Sequence, residues 1–148
     1  MTKDPFLEAA IEQARKSLAE GGIPIGSVLV HEGRIIGRGH NCRVQTGSAI
    51  DHGEMNCLRN AGRLPASVYR ASTIYSTLSP CPMCSGAIVL YKIPRVVVGE
   101  NRTFLGAEDY MCANGIVVEV VDDEECIALM SDFIRAHPQL WNEDIGED

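Results

Sequence analysis

Two short stretches carry side chains whose spacing could do chemistry. The first is His52-Gly53-Glu54, within HGEMNC. The second is Pro80-Cys81-Pro82-Met83-Cys84, within STLSPCPMC. Cys-x-x-Cys alone has three readings: a redox pair, half of a structural zinc clamp, or two ligands of a catalytic metal. A closed structural zinc needs four protein ligands, commonly as two close pairs. The sequence offers no second Cys-x-x-Cys and no close His pair, and His40 and Cys42 stand apart at the edge of a polar loop. Adding His52 gives one imidazole and two thiolates. Three ligands leave the fourth position of a tetrahedral zinc open to water, which is the composition of a catalytic site. Two thiolates make such a centre nearly neutral, so it acidifies water less than a three-His centre, and a base beside it would help. Glu54 is the candidate base.

These residues constrain the elements that carry them. Cys81 and Cys84, at i and i+3, share a face at the start of a helix, where the free N–H groups and the helix dipole favour thiolate. His52 and Glu54, at i and i+2, diverge along the side of a helix. They can serve one site only if it lies off a helix end. The spacing therefore predicts two helix N-termini converging on the metal.

The rest of the chain supplies a scaffold. Asp4-Pro5 reads as an N-cap and first helical position. Phe6, Leu7, Ala10, Ile11, Ala14 and Leu18 recur at helical spacing up to Gly21-Gly22. IGSVLVHEGRIIGRGHN predicts a hairpin turning at Glu32-Gly33. Residues 42–51 read as a loop, and a helix runs from near His52 to Gly62. STIYSTL, RVVVGE and GIVVEVV read as strands. Gly86 to Tyr91 reads as a helix apolar on nearly every side, and DDEECIALMSDFIRAH as an amphipathic helix with an acidic first turn. A hairpin followed by alternating strands and helices predicts an α/β layer fold with a mixed sheet, in one domain over residues 1–148.

Composition narrows the function. Thirteen Lys and Arg against twenty Asp and Glu give a net charge of −7, which disfavours nucleic acid as a partner. The N-terminus lacks the apolar run of a secretory leader, and no stretch approaches a membrane span. A cytoplasmic chain without a membrane partner is expected. In that compartment Cys42, Cys57, Cys112 and Cys126 read as buried thiols rather than disulfides.

H-x-E followed by P-C-x-x-C is the zinc deaminase signature. The likeness runs further, through GGIPIGSVLV, GRGHN, HGE, STLSPCPMCSGAIVLYKIPRVVVGEN, VVDDEEC and WNEDIGE. By these segments the chain resembles the fungal-type cytosine deaminases of the cytidine deaminase superfamily along nearly its whole length. The resemblance implies a three-layer α/β/α sandwich with a five-stranded mixed sheet, a homodimer, and hydrolytic deamination of a free pyrimidine base, cytosine to uracil plus ammonia, in pyrimidine salvage. It implies one Zn2+ per chain, held by His52, Cys81 and Cys84, with Glu54 as proton shuttle. Asn41 and the Gly53 backbone would contact the base, Asp144 its exocyclic amine, and Ile25, Phe104 and Trp141 would form apolar walls and lid. Pro82 and the slightly shorter stretch after Phe104 depart from the family pattern.

Each assignment has a plainer alternative. Asn41 could be a turn residue, Phe104 core, Trp141 a packing aromatic, and Asp144 part of a solvating acidic tail. At the level of function the alternatives are deamination of another small amino-heterocycle, such as a guanine-like purine or a pterin, deamination of adenosine in tRNA, and a structural zinc or redox module.

Overall fold

The structure, a computed structural model, describes residues 3–148. Helix α1 (Pro5–Ala19) begins as the sequence requires. Asp4 caps it by accepting the Phe6 N–H at 2.8 Å, and Leu7, Ala10, Ile11 and Ala14 form its buried stripe. Strands β1 (Gly26–His31) and β2 (Arg34–His40) form the hairpin. Glu32 and Gly33 both take positive φ, 51° and 73°, the turn geometry that matches the twist of the strands it joins.

After the hairpin come α2 (Arg43–Thr46), α3 (Gly53–Ala61), α4 (Ala66–Arg70), β3 (Ser72–Leu78), α5 (Pro82–Tyr91), β4 (Arg95–Glu100), α6 (Glu108–Ala113), β5 (Val117–Val120), α7 (Glu124–Ala136) and α8 (Pro138–Asp144). The sheet order is β2-β1-β3-β4-β5. β1 is antiparallel to β2 and β3, while β3, β4 and β5 run parallel. This is the expected five-stranded mixed sheet.

Central strands covered on both faces read as continuous apolar runs. On one face Ile74, Val96 and Val98 pack with Ile88 of α5, Cys57 of α3 and Met111 of α6. On the other, Tyr75 and Val97 pack with Leu7 and Ile11 of α1 and Cys126 of α7. A third cluster joins Ile23, Ile25 and Leu78 to Met130, Phe133 and Trp141 at the end where β3 delivers its carboxyl terminus. That end carries the site.

Four short helices fall outside the periodicity reading. α2, inside the expected loop at 42–51, spans one turn; α4, α6 and α8 are five to seven residues long. Elements this short rest on tertiary packing rather than propensity. One thiol expectation is corrected: Cys112 is exposed. In short α6 Met111 takes the inward position, and its neighbour Cys112 points to solvent. Cys42, Cys57 and Cys126 are buried as expected. Helix α5 is buried only along Cys84, Ser85 and Ile88; Leu90 is 66% exposed and Tyr91 45%. Among the described residues, no helix is long and apolar enough to cross a membrane.

Candidate active site

His52 is the N-cap of α3 and Cys81 the N-cap of α5, both with extended backbones. Their carbonyls accept the first helical bonds, from Asn56 N and Ser85 N, each at 2.8 Å. Neither side chain caps its own helix. Both are thus free to turn toward a site off the helix ends, the solution that the His52–Glu54 spacing demands. Pro82 occupies the first position of α5, where the missing N–H costs nothing. Gly53, at the start of α3, lies so close to Ile25 that a Cβ would stand 3.2 Å from the Ile25 carbonyl oxygen. Glycine lets the helix start approach Ile25, the residue before β1.

Ligand atoms of His52, Cys81 and Cys84 all lie within 4.8 Å of one another. Nδ1 of His52 faces Sγ of Cys81 at 3.4 Å. Ordinary zinc bond lengths with tetrahedral angles put donor atoms about 3.5–3.8 Å apart. The donor set and its spacing therefore fit zinc. The other ring nitrogen, Nε2, lies 3.5 Å from Oδ1 of Asp144. A carboxylate behind a ligating imidazole favours the tautomer with its proton on that side.

The donors and acids of the site shift one another's protonation. A hydrogen bond from the Cys84 thiol, aided by His52, pulls Cys81 down to about 4. Burial alone would lower His52, but Cys81 and the Asp144 charge outweigh it and raise the imidazole to about 9. Cys84, donating to Cys81 and buried, is held well above its ordinary value. Burial, and then the Cys81 charge, push Glu54 up to about 7. Burial also raises Asp144, against the pull of His52 and Asn41. Burial, the larger cause, thus favours the protonated form of Glu54, as suits a carboxyl group that exchanges protons.

The remaining candidates gather around the same point. Asn41 is fully buried; its amide donates to Asp144 Oδ1 at 3.0 Å and its Oδ1 accepts the Arg43 N–H at 3.0 Å. Asp144 is 7% exposed, at the end of α8, and is not part of a solvated tail. Trp141 is buried and meets Phe104 edge-on, with ring centroids 5.6 Å apart at 82°. Ile25, Phe104 and Trp141 wall an inner chamber that His52, Glu54 and Asp144 also face. The chamber measures about 10 Å³, room for one water at most. An adjoining cavity of about 580 Å³ also reaches His52, Cys81, Phe104 and Asp144 and opens past Arg43 and Glu143. Leu78, Ser79 and Ile145 also line the chamber. Sequence reasoning does not single them out; only the position of Ser79 beside Pro80-Cys81 offered a signal.

A mixed five-stranded sheet with a His-Cys-Cys donor set and a buried Glu at two helix starts defines a zinc-dependent hydrolytic deaminase. Residues 1–100 match the family model for the cytidine and deoxycytidylate deaminase zinc-binding region, and the chain belongs to this family. It is 56% identical over 142 residues to a cytosine deaminase of Candida albicans, covering 95% of both chains. It is 37% identical over 146 residues to a tRNA-specific adenosine deaminase of Bacillus subtilis, covering 91% of each. Among solved structures, a tRNA:A34 deaminase superposes with a TM-score of 0.71 at 27% identity, covering 86% of this chain and 99% of that one. A guanine deaminase from Nitrosomonas europaea, at 20% identity and a TM-score of 0.70, covering 90% and 86%, shares the fold.

Proposed function

We propose that the chain, as one deaminase domain over residues 1–148, converts cytosine to uracil and ammonia. His52, Cys81 and Cys84 would hold one zinc, and Glu54 would carry the protons. The observation that carries this reading is the placement of Glu54 and Asp144 at one chamber beside those three donors. The choice of cytosine is supported by the 56% identity, over nearly both whole chains, to the Candida albicans enzyme.

Zinc in this site supplies Lewis acidity that lowers the pKa of a water molecule. The protein does the rest. Glu54, kept dry, accepts a proton from the attacking water and returns it to ring N3, which makes C4 electrophilic. A C4–O bond forms; Glu54 then takes the second proton from the new C4–OH and passes it to the amine as the C4–N bond breaks, leaving the C4 carbonyl of uracil and ammonia. Asn41 and the Gly53 backbone hold the base, and Asp144 accepts from its amino group. Ile25, Phe104 and Trp141 exclude water, which strengthens each of these polar interactions.

Adenosine deamination in tRNA fits less well, because a net charge of −7 offers a poor partner for phosphates. Exposed Leu90 and Tyr91 on α5, with exposed Ile50 lining a groove together with Tyr91, support a homodimer. A cytoplasmic place in pyrimidine salvage follows from the proposed substrate. The test is ammonia release from a panel of cytosine, guanine, a pterin and adenosine in tRNA. Cytosine should be turned over fastest; faster turnover of another member would replace the substrate assignment.

A further inference from the structure

Glu100 ends β4 and is fully buried, yet among the described residues no Lys, Arg or His pairs with it. A carboxylate taken out of water is tolerated only when donors replace the water. Among the described residues, all of its side-chain partners come from the next three positions. Oε2 accepts the N–H groups of Arg102 and Thr103, each at 3.0 Å, and Oε1 accepts the Thr103 hydroxyl. The Arg102 side chain turns away to Asp122. The buried charge therefore holds one turn, the turn that leads into Phe104.

The far end of the same loop is fastened too. Ser79 donates its hydroxyl to Glu108 Oε2 at 2.6 Å and accepts the Gly106 N–H at 2.9 Å. Glu108 Oε1 accepts from Asn101 Nδ2 at 3.3 Å, and the Ala107 N–H donates to the Pro80 carbonyl at 3.0 Å. Gly106 lies so close to Pro80 that an added Cβ would stand 1.9 Å from its carbonyl oxygen. The Glu100 carbonyl closes the ring by accepting the Ser79 N–H at 3.0 Å. Residues 101–107 are thus pinned at both ends to Ser79 and Pro80, immediately before Cys81. Phe104 stands in the middle, edge-on to Trp141.

We propose that Glu100 and Glu108 are positioning residues that pin the 101–107 loop to the Ser79-Pro80 turn, and so fix Phe104 as the seat on which Trp141 closes over the base. This rests on the reading of Phe104 and Trp141 as walls of a base pocket. Neither carboxylate touches the chamber; each acts through Phe104. Loss of a pin should loosen the wall without disturbing the metal donors.

The experiment uses the zinc-loaded full chain and the variants Glu100→Gln, Glu108→Gln and Phe104→Ala, with the two double variants. Trp141 is the sole tryptophan, so its emission reports on the lid directly. In either Gln variant zinc content should stay at the wild-type level, Trp141 emission should shift red, and acrylamide quenching should rise. KM for cytosine should rise about tenfold, with kcat changed much less. On a Phe104→Ala background the same Gln substitutions should add less than about twofold to KM, because the residue they act through is gone. Unchanged Trp141 emission, or a KM effect that persists in full without Phe104, would overturn the proposal. If Glu100→Gln fails to fold, the half-buried Glu108 carries the test. Were the wild type inactive on cytosine, the substrate assignment would fall, and Trp141 emission alone would still decide the positioning role.

Discussion

The side-chain amide of Asn41 donates to Oδ1 of Asp144 across 103 positions of chain, at 3.0 Å and away from solvent. This bond ties the residue after β2 to the end of α8, and the same Oδ1 stands 3.5 Å from the outer nitrogen of His52. The C-terminal segment is therefore part of the polar lining and not a cover laid over a finished site. Deleting residues 139–148 should reduce cytosine turnover severely while zinc, measured by metal analysis, stays bound. Asp144→Ala should weaken use of cytosine more than it weakens binding of uracil, because the 4-amino group of cytosine donates to the carboxylate whereas the 4-oxo group of uracil can only accept. Equal losses for both would remove Asp144 from recognition of the amine.

Glu54→Gln keeps size and polarity but removes the proton carrier. Zinc content and thermal melting should match wild type, and kcat should fall at least ~100-fold. Turnover within a few fold of wild type would assign the proton transfers to another group.

Cys84→Ala removes a fully buried sulfur of the donor set. Zinc per chain after gel filtration should fall well below one, and activity with it. Chelator treatment of the wild type should abolish activity, and added Zn2+ should restore it. A Cys84→Ala protein that holds zinc as tightly as wild type would contradict the ligand assignment.

Asp123 caps α7, accepting the Cys126 N–H at 3.0 Å, and pairs with Lys3 at 3.0 Å. Burial works to raise its pKa, but the Cys126 N–H and then Lys3 outweigh it, and the carboxyl is held below its ordinary 3.8. A depressed folded pKa gives stability that is complete above the unfolded value and lost as pH falls through the folded one. Tm should therefore hold to about pH 5 and drop below about pH 4 on this account. Asp123→Asn retains an oxygen for the cap but not the charge. It should lower Tm near neutrality and flatten the acid limb. An unchanged acid limb would place that loss elsewhere, for instance at Glu125, which Arg15 holds low.

The metal donors and Glu54 were legible because their spacing has few physical solutions. His-x-Glu cannot share the side of a helix, so it had to sit at a helix start, and it does. The hairpin and the parallel strands showed as apolar runs with turn residues between them. Resemblance, rather than spacing, brought Asn41, Phe104, Trp141 and Asp144 into the reading; composition alone left Asp144 in an acidic tail. Helix α8 is seven residues long and too short for periodicity to reveal, although it buries both Trp141 and Asp144. The roles of Glu100 and Glu108 were hidden for a different reason. A carboxylate that holds a loop looks like any surface acid until its donors are seen, and those donors, two backbone N–H groups and the side chains of Thr103, Ser79 and Asn101, form no sequence pattern. Cys112 failed the expectation of burial because a six-residue helix has room to turn only one side inward.

Order of synthesis gives the distance between the metal donors and α8 a temporal meaning. A ribosome finishes all three zinc ligands by Cys84 and does not begin α8 until Pro138. A nascent chain paused between these points carries every donor atom for the ion and lacks Trp141 and Asp144. The donor atoms of the site thus leave the ribosome before the residues that would enclose a base.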